Sequence, residues 1–129
     1  MPVAVVDELN RRGPDDPAVR AIHGAAWLQV LPCPSVPAEI QAWDLGRGES
    51  AALALASARP GSEVILDDLA ARALAKTLGL PVQGTLGLLT IAKQVGLITA
   101  VRPVLEQLRQ AGMYVSDRLA NQVLTLLNE

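Results

Sequence analysis

Three features of the sequence predict an α/β fold, a three-layer α/β/α sandwich around a mainly parallel sheet. Short apolar runs alternate with helical patterns along the chain, the order expected when helical crossovers join parallel strands. The run Val64-Ile65-Leu66 has no polar alternation, as suits a strand covered on both faces. Half of the residues are hydrophobic, and nearly all of these are Ala, Val, Leu and Ile; there is no Phe, and the aromatics are Trp27, Trp43 and Tyr114. Small and branched aliphatics suit helices packed closely on a sheet. With 129 residues, one domain with a single core is expected over residues 1–129.

The elements follow in order. Val3 to Arg12 puts Val5, Val6 and Leu9 on one face, a short amphipathic helix stopped by Gly13-Pro14. Asp15-Asp16-Pro17 is an acidic cap followed by proline in the first turn, opening a helix that ends near Gly24. Trp27 to Leu31 reads as a strand closed by Pro32 and Pro34. Ser35-Val36-Pro37 is expected to cap a short helix towards Trp43. Gly46-Arg47-Gly48 turns into the high-propensity helix Glu49–Ala56, broken by Pro60-Gly61. After the Val64–Leu66 strand comes a helix from Leu69 to Leu78, with Gly79 as its stop. Pro81-Val82-Gln83 is a brief strand, and Gly84-Thr85 turns into a helix from Leu86 to about Val95. Two more helices are expected near Pro103–Ala111 and Asp117–Leu127, the second capped by Ser116. Three strands are few for such a fold.

Composition excludes several classes of function. No apolar run approaches the roughly twenty residues that span a bilayer, and Asp7 and Glu8 interrupt the apolar start, unlike a signal peptide. A cytoplasmic protein is expected. The lone Cys33 rules out an internal disulfide, and with His23 as its one soft companion no structural zinc cluster forms. Both read as structural rather than catalytic. A net charge of −2 argues against bulk electrostatic capture of nucleic acid, but not against an enzyme that touches a few phosphates through metal ions. No Walker loop or G-x-G-x-x-G fingerprint is present.

The acidic residues carry the chemistry. In open parallel sheets, sites form beyond the carboxyl ends of the strands. Asp67 and Asp68 follow Val64-Ile65-Leu66 directly, and Glu49 opens a helix after Gly48. Glu8 lies in the first helix. Carboxylates gathered at one rim repel unless a hard cation sits between them, and Mg²⁺ and Mn²⁺ favour such all-oxygen sites. Taken singly, each acid has a structural explanation: Glu49 complements a helix dipole, Asp67 or Asp68 caps the next helix, and Glu8 is solvated.

Taken together, four motifs in order resemble the PIN-domain family. Leu45-Gly46-Arg47-Gly48-Glu49-Ser50-Ala51-Ala52-Leu53-Ala54-Leu55-Ala56 resembles that family's "LD-x-GE-x-x-A-x-x-LA" helix start. Val64 to Arg72 looks like its acidic strand end and following arginine. Leu78-Gly79-Leu80-Pro81-Val82-Gln83-Gly84-Thr85-Leu86-Gly87 is similar to the "LGL-x-V-x-GTLG" segment of a subgroup related to VapC-like toxins, and Pro2 to Leu9 is similar to "P-x-x-V-x-x-EL". The resemblance spans nearly the whole chain. It implies a ribonuclease dependent on Mg²⁺ or Mn²⁺, with Glu8, Glu49 and Asp67 as catalytic metal-site acids and Asp68 as the alternative to Asp67. It also implies Thr85 near the substrate, where a helix cap explains it equally well. Arg72 would meet phosphate, or pair with Asp68 four residues earlier. RNA as substrate, an antitoxin-like protein partner and a homodimer complete the expectation.

One departure matters. The family opens with a central strand ending in an aspartate, whereas here Met1 lies just before the second acid. The expected sheet therefore carries a gap at its middle, with unpaired backbone at the edges. Three arrangements answer this: a longer natural chain, a dimer in which another segment fills the gap, or a domain that keeps the fold without the full chemistry and serves as a non-catalytic interaction module.

Overall fold

The helix starts lie where the local chemistry of the sequence puts them. In the computed structural model, which describes residues 1–129, helix α1 (Val3–Asn10) leaves the extended Pro2, and the chain turns away at Gly13 with φ +92°. The Asp16 carboxylate accepts the Ala18 amide at 2.8 Å and opens α2 (Pro17–Gly24), with Pro17 as its first residue. Helix α3 (Ala38–Gln41) is a single turn. It begins at Pro37 with no side-chain cap, so Ser35 does not have the capping role expected of it; the fixed φ of Pro37 is already helical and replaces it.

Helix α4 (Arg47–Ser57) packs against α1, α3, strand β1 (Val64–Ile65) and α5 (Leu69–Thr77). It is rich in Ala and Leu and buries Ala51, Leu53, Ala54 and Ala56. Small side chains let its neighbours approach closely on several sides. Asp68 caps α5 through the Ala71 amide at 2.8 Å, and Gly79 at φ +70° ends it. Strand β2 (Val82–Gln83) pairs parallel to β1, Val64 opposite Val82 and Ile65 opposite Gln83. Ile40, Leu53, Val64, Leu66, Ala71 and Leu74 form the core between these elements.

The expected strand Trp27–Leu31 is not a strand. Leu31 makes a single parallel bridge to Pro2, fastened by Leu31 N–H to Met1 O and Val3 N–H to Leu31 O. Trp27 lies in a turn closed by Leu28 N–H to Ala25 O, and Met1–Val3 turns into α1 after one bridge and offers no longer edge. Trp27 is left 83% exposed. The sheet is thus a two-stranded parallel pair, an α/β arrangement with fewer paired strands than the three expected.

These elements belong to the first of two compact units, Met1–Gln83; the second is Gly84–Glu129. It comprises α6 (Thr85–Gln94), α7 (Arg102–Gln110) and α8 (Asp117–Leu126), each within a residue or so of the range expected. Ser116 caps α8 as predicted, accepting the Leu119 amide. Leu105, Val115 and Ala120 form its small core, with Leu86, Leu89 and Met113 against them.

Glu129 ties this unit together. Its carboxylate accepts the Val101 and Arg102 amides at 2.8 and 2.9 Å and meets Lys93 Nζ at 2.6 Å. The same ammonium donates to the Leu127 carbonyl at 2.8 Å. One carboxylate thereby caps the start of α7 while its lysine partner holds the end of α8. The Lys93 hydrogen bond, then the Arg102 and Val101 amides, lower the Glu129 pKa from 4.5 to about 2.

Two outcomes follow. Leu53 is fully buried, so Leu53→Ala is expected to lose about 2–5 kcal/mol in urea unfolding. The Glu129 contribution is present above pH 4.5 and lost as pH falls towards about 2, because its folded-state pKa is depressed. Protection of the Val101 and Arg102 amides, relative to the intrinsic exchange rate at each pH, should fall across that window, and in Glu129→Gln it should already be lowered at pH 7.

Candidate functional site

The first turn of α4 gathers two of the predicted acids. Glu8 on α1 reaches across, and its Oε1 accepts the Gly48 amide at 2.9 Å. Gly48 is buried and stands second in the helix. A Cβ there would lie 2.6 Å from Glu8 Oε2 and 3.4 Å from Val5 Cγ2. Only glycine leaves room for the carboxylate to approach at that distance. Glu49, third in the helix, folds back over Gly46 at the cap position, where a Cβ would collide with its Oε2. The reversal resembles the return arm of a capping box. Two carboxylates thus crowd the positive end of one helix dipole, each given space by a missing side chain. Both are half-buried.

Asp67 follows the carboxyl end of β1, exposed and directly after the buried Leu66. Asp68 is committed elsewhere, as the cap of α5 through its Oδ1. It therefore acts as the helix cap expected of one of the two, and Arg72 is not its ion-pair partner; Arg72 stands half-buried on α5. The nearest charge pair at the rim is Arg47 with Asp7 at 3.9 Å, both well exposed, and such a pair adds little to stability.

Thr85 is the first residue of α6 in the second unit; the cap position belongs to Gly84. The structural reading of Thr85 as a helix cap is thus replaced by a place one residue inside the helix. His23 Nε2 meets Asn10 Oδ1 at 3.0 Å on the surface, and Cys33 donates to the Ala51 carbonyl while packing on the core. Each has a structural partner.

All-oxygen donors of this kind match the preferences of Mg²⁺ and Mn²⁺. Glu8 uses Oε1 for Gly48 and keeps Oε2 on the side where a Cβ is missing. Among the described residues no group of three or more His, Cys, Asp or Glu stands assembled around one point. The fit is that of two carboxylates, Glu8 and Glu49, at one helix start. Sequence reasoning missed the part played by Gly46 and Gly48. The signal was available, since two glycines spaced by one residue just before a glutamate mark a helix start that must stay open to other side chains.

No curated protein and no solved structure matches the chain. A family model described as a PIN domain matches residues 1–129. That family points to nuclease-type chemistry and nucleic-acid binding in general, and its members generally use divalent metals. No helix of the structure is long and apolar enough to cross a membrane. By a match that covers every residue, the chain belongs to the PIN-domain family.

Proposed function

We propose that the chain is a ribonuclease dependent on Mg²⁺ or Mn²⁺, of the kind found in VapC-like toxins, with Glu8, Glu49 and Asp67 as its metal-site acids. The observation that carries this reading is the convergence of Glu8 and Glu49 on the first turn of α4 through two glycines. Bound there, a divalent ion would lower the pKa of its water and offset charge on the phosphodiester. The protein's own part is to hold the carboxylates. Gly48 N–H orients Glu8, the turn at Gly46 sets Glu49, and the end of β1 presents Asp67. Arg72 and Thr85 are the proposed contacts to RNA. In this reading both units serve one PIN-like domain, a three-layer sandwich working in the cytoplasm.

A second reading has its own observation. Glu8 already satisfies the Gly48 amide, as a purely structural cap would, and a non-catalytic module that docks a protein partner needs no more. The two differ in what a metal does. At ten times its Kd, a bound ion stabilises by about 1.4 kcal/mol, roughly 4 °C in Tm for a chain of this size. The nuclease reading expects that rise with Mn²⁺ and its loss in Asp67→Asn; a Tm indifferent to millimolar Mn²⁺ and Mg²⁺ leaves the interaction module.

Cleavage of single-stranded RNA by the purified chain with Mn²⁺ is expected to fall by about 10²-fold or more in Glu49→Gln. Gly48→Ala separates site from scaffold. Losing the Glu8 hydrogen bond costs about 1.5 kcal/mol for a half-buried charged acceptor, and alanine returns about 1 kcal/mol of helix propensity. Stability should therefore change little in urea unfolding while activity drops as far as in Glu49→Gln. A Gly48→Ala protein of full activity would remove Glu8 from the site.

A further inference from the structure

Arg47 stands where local physics does not favour a cation. It is the first residue of α4, and the amino end of a helix carries partial positive charge that repels a guanidinium and attracts carboxylates. Its ionic partner is Asp7 on α1, at 3.9 Å, which is longer than a hydrogen bond. The two side chains are 64% and 46% exposed, so the pair is weakly held. Packing gives no further reason for an arginine here, since the residue lies largely in solvent. Breaks of a local rule without structural return concentrate at functional positions.

The neighbours of Arg47 say which function. It directly precedes Gly48, whose amide Glu8 accepts at 2.9 Å, and next comes Glu49, which folds back over Gly46. Asp7 directly precedes Glu8, and adjacent helical side chains diverge by about 100° around the axis. The pair of Arg47 with Asp7 therefore flanks the Glu8–Gly48 contact without sharing its carboxylate. Asp7, Glu8 and Glu49 bring three carboxylates to one helix start, and like charges there repel an approaching polyanion. Even with a divalent ion balanced against Glu8 and Glu49, Asp7 and an incoming phosphodiester leave negative charge unanswered. An exposed, loosely held cation beside the same turn answers it. Arg12, another paired cation of this unit, is engaged with Asp16 beyond the carboxyl end of α1.

We propose that Arg47 is a phosphate contact for RNA at this site: its guanidinium leaves Asp7 and takes two oxygens of a backbone phosphodiester beside the acids. The inference rests on the nuclease reading and adds to it a residue that holds the backbone of the substrate. Arginine suits the role, because its planar fork meets two phosphate oxygens at once. Asp7 keeps the side chain beside the helix start until RNA arrives, and an exposed ion pair exchanges one anion for another easily. A contact of this kind positions the strand and carries no base preference.

The test separates RNA binding from cleavage in the full chain. Binding is read by fluorescence anisotropy of short labelled oligouridine and oligoadenosine, with Ca²⁺ in place of Mn²⁺ to suppress cleavage. Arg47→Gln is expected to weaken binding about tenfold, the loss of one charge-assisted contact, and equally for both sequences. The slope of log Kd against log salt should fall by about 0.7. Arg47→Lys should keep the slope and lose part of the affinity, and Asp7→Asn, which frees Arg47, should bind RNA more tightly. With Mn²⁺, Arg47→Gln should raise KM and leave kcat unchanged, while its Tm and the rise of Tm with Mn²⁺ match the wild type. A wild type that cleaves RNA while Arg47→Gln keeps its affinity and salt slope overturns this inference alone. So does weakened binding in Arg47→Gln that comes with a lost Mn²⁺ response, since the arginine would then belong to the scaffold of the acids. A wild type that neither responds to Mn²⁺ nor cleaves RNA overturns the nuclease reading, and this inference falls with it.

Discussion

The close approach of a carboxylate to a helix start governs the first unit. Glu8 can accept the Gly48 amide because no Cβ stands between them, and that contact fixes α1 against α4. Helix α4 in turn is the surface on which α3, α5 and β1 pack. The helix dipole makes the arrangement favourable, since its amino end carries unsatisfied N–H groups and partial positive charge. Two half-buried acids at that end would be costly elsewhere on the unit.

The same contact joins stability to chemistry. A helix start that draws two carboxylates inward offers oxygen donors of the kind the proposed cation would need. The alanine-rich body of α4 permits close packing on several sides. The packing at this helix start rests on where side chains are missing as much as on where they are present. Gly46 and Gly48 are the instance, and the sparse aromatic content extends the principle to the core.

The second unit works differently. Its helices are short, and a core of few residues is supplemented by the junction of Lys93, Glu129 and the start of α7. A carboxylate that answers two amides and an ammonium at once is held strongly in its charged form, as its depressed pKa records. Long-range polar fastening of this sort leaves no local trace, since Lys93 and Glu129 are far apart in sequence and neither position marks a motif.

The sequence by itself determined the helices, their caps at Asp16, at one of Asp67 and Asp68, and at Ser116, the stop at Gly79 and the parallel sense of the strands around Val64 and Val82. These depend on neighbours within a few residues, or on an apolar run without alternation, and both are visible in a string of letters. The family, too, was legible from the order of its motifs. Only the tertiary structure decided that Trp27–Leu31 would remain a single bridge, because a strand exists only where a second edge runs beside it. The reach of Glu8 to Gly48 and the pairing of Lys93 with Glu129 were likewise settled in three dimensions. Each depends on the distance between segments remote in sequence, which local pattern does not encode.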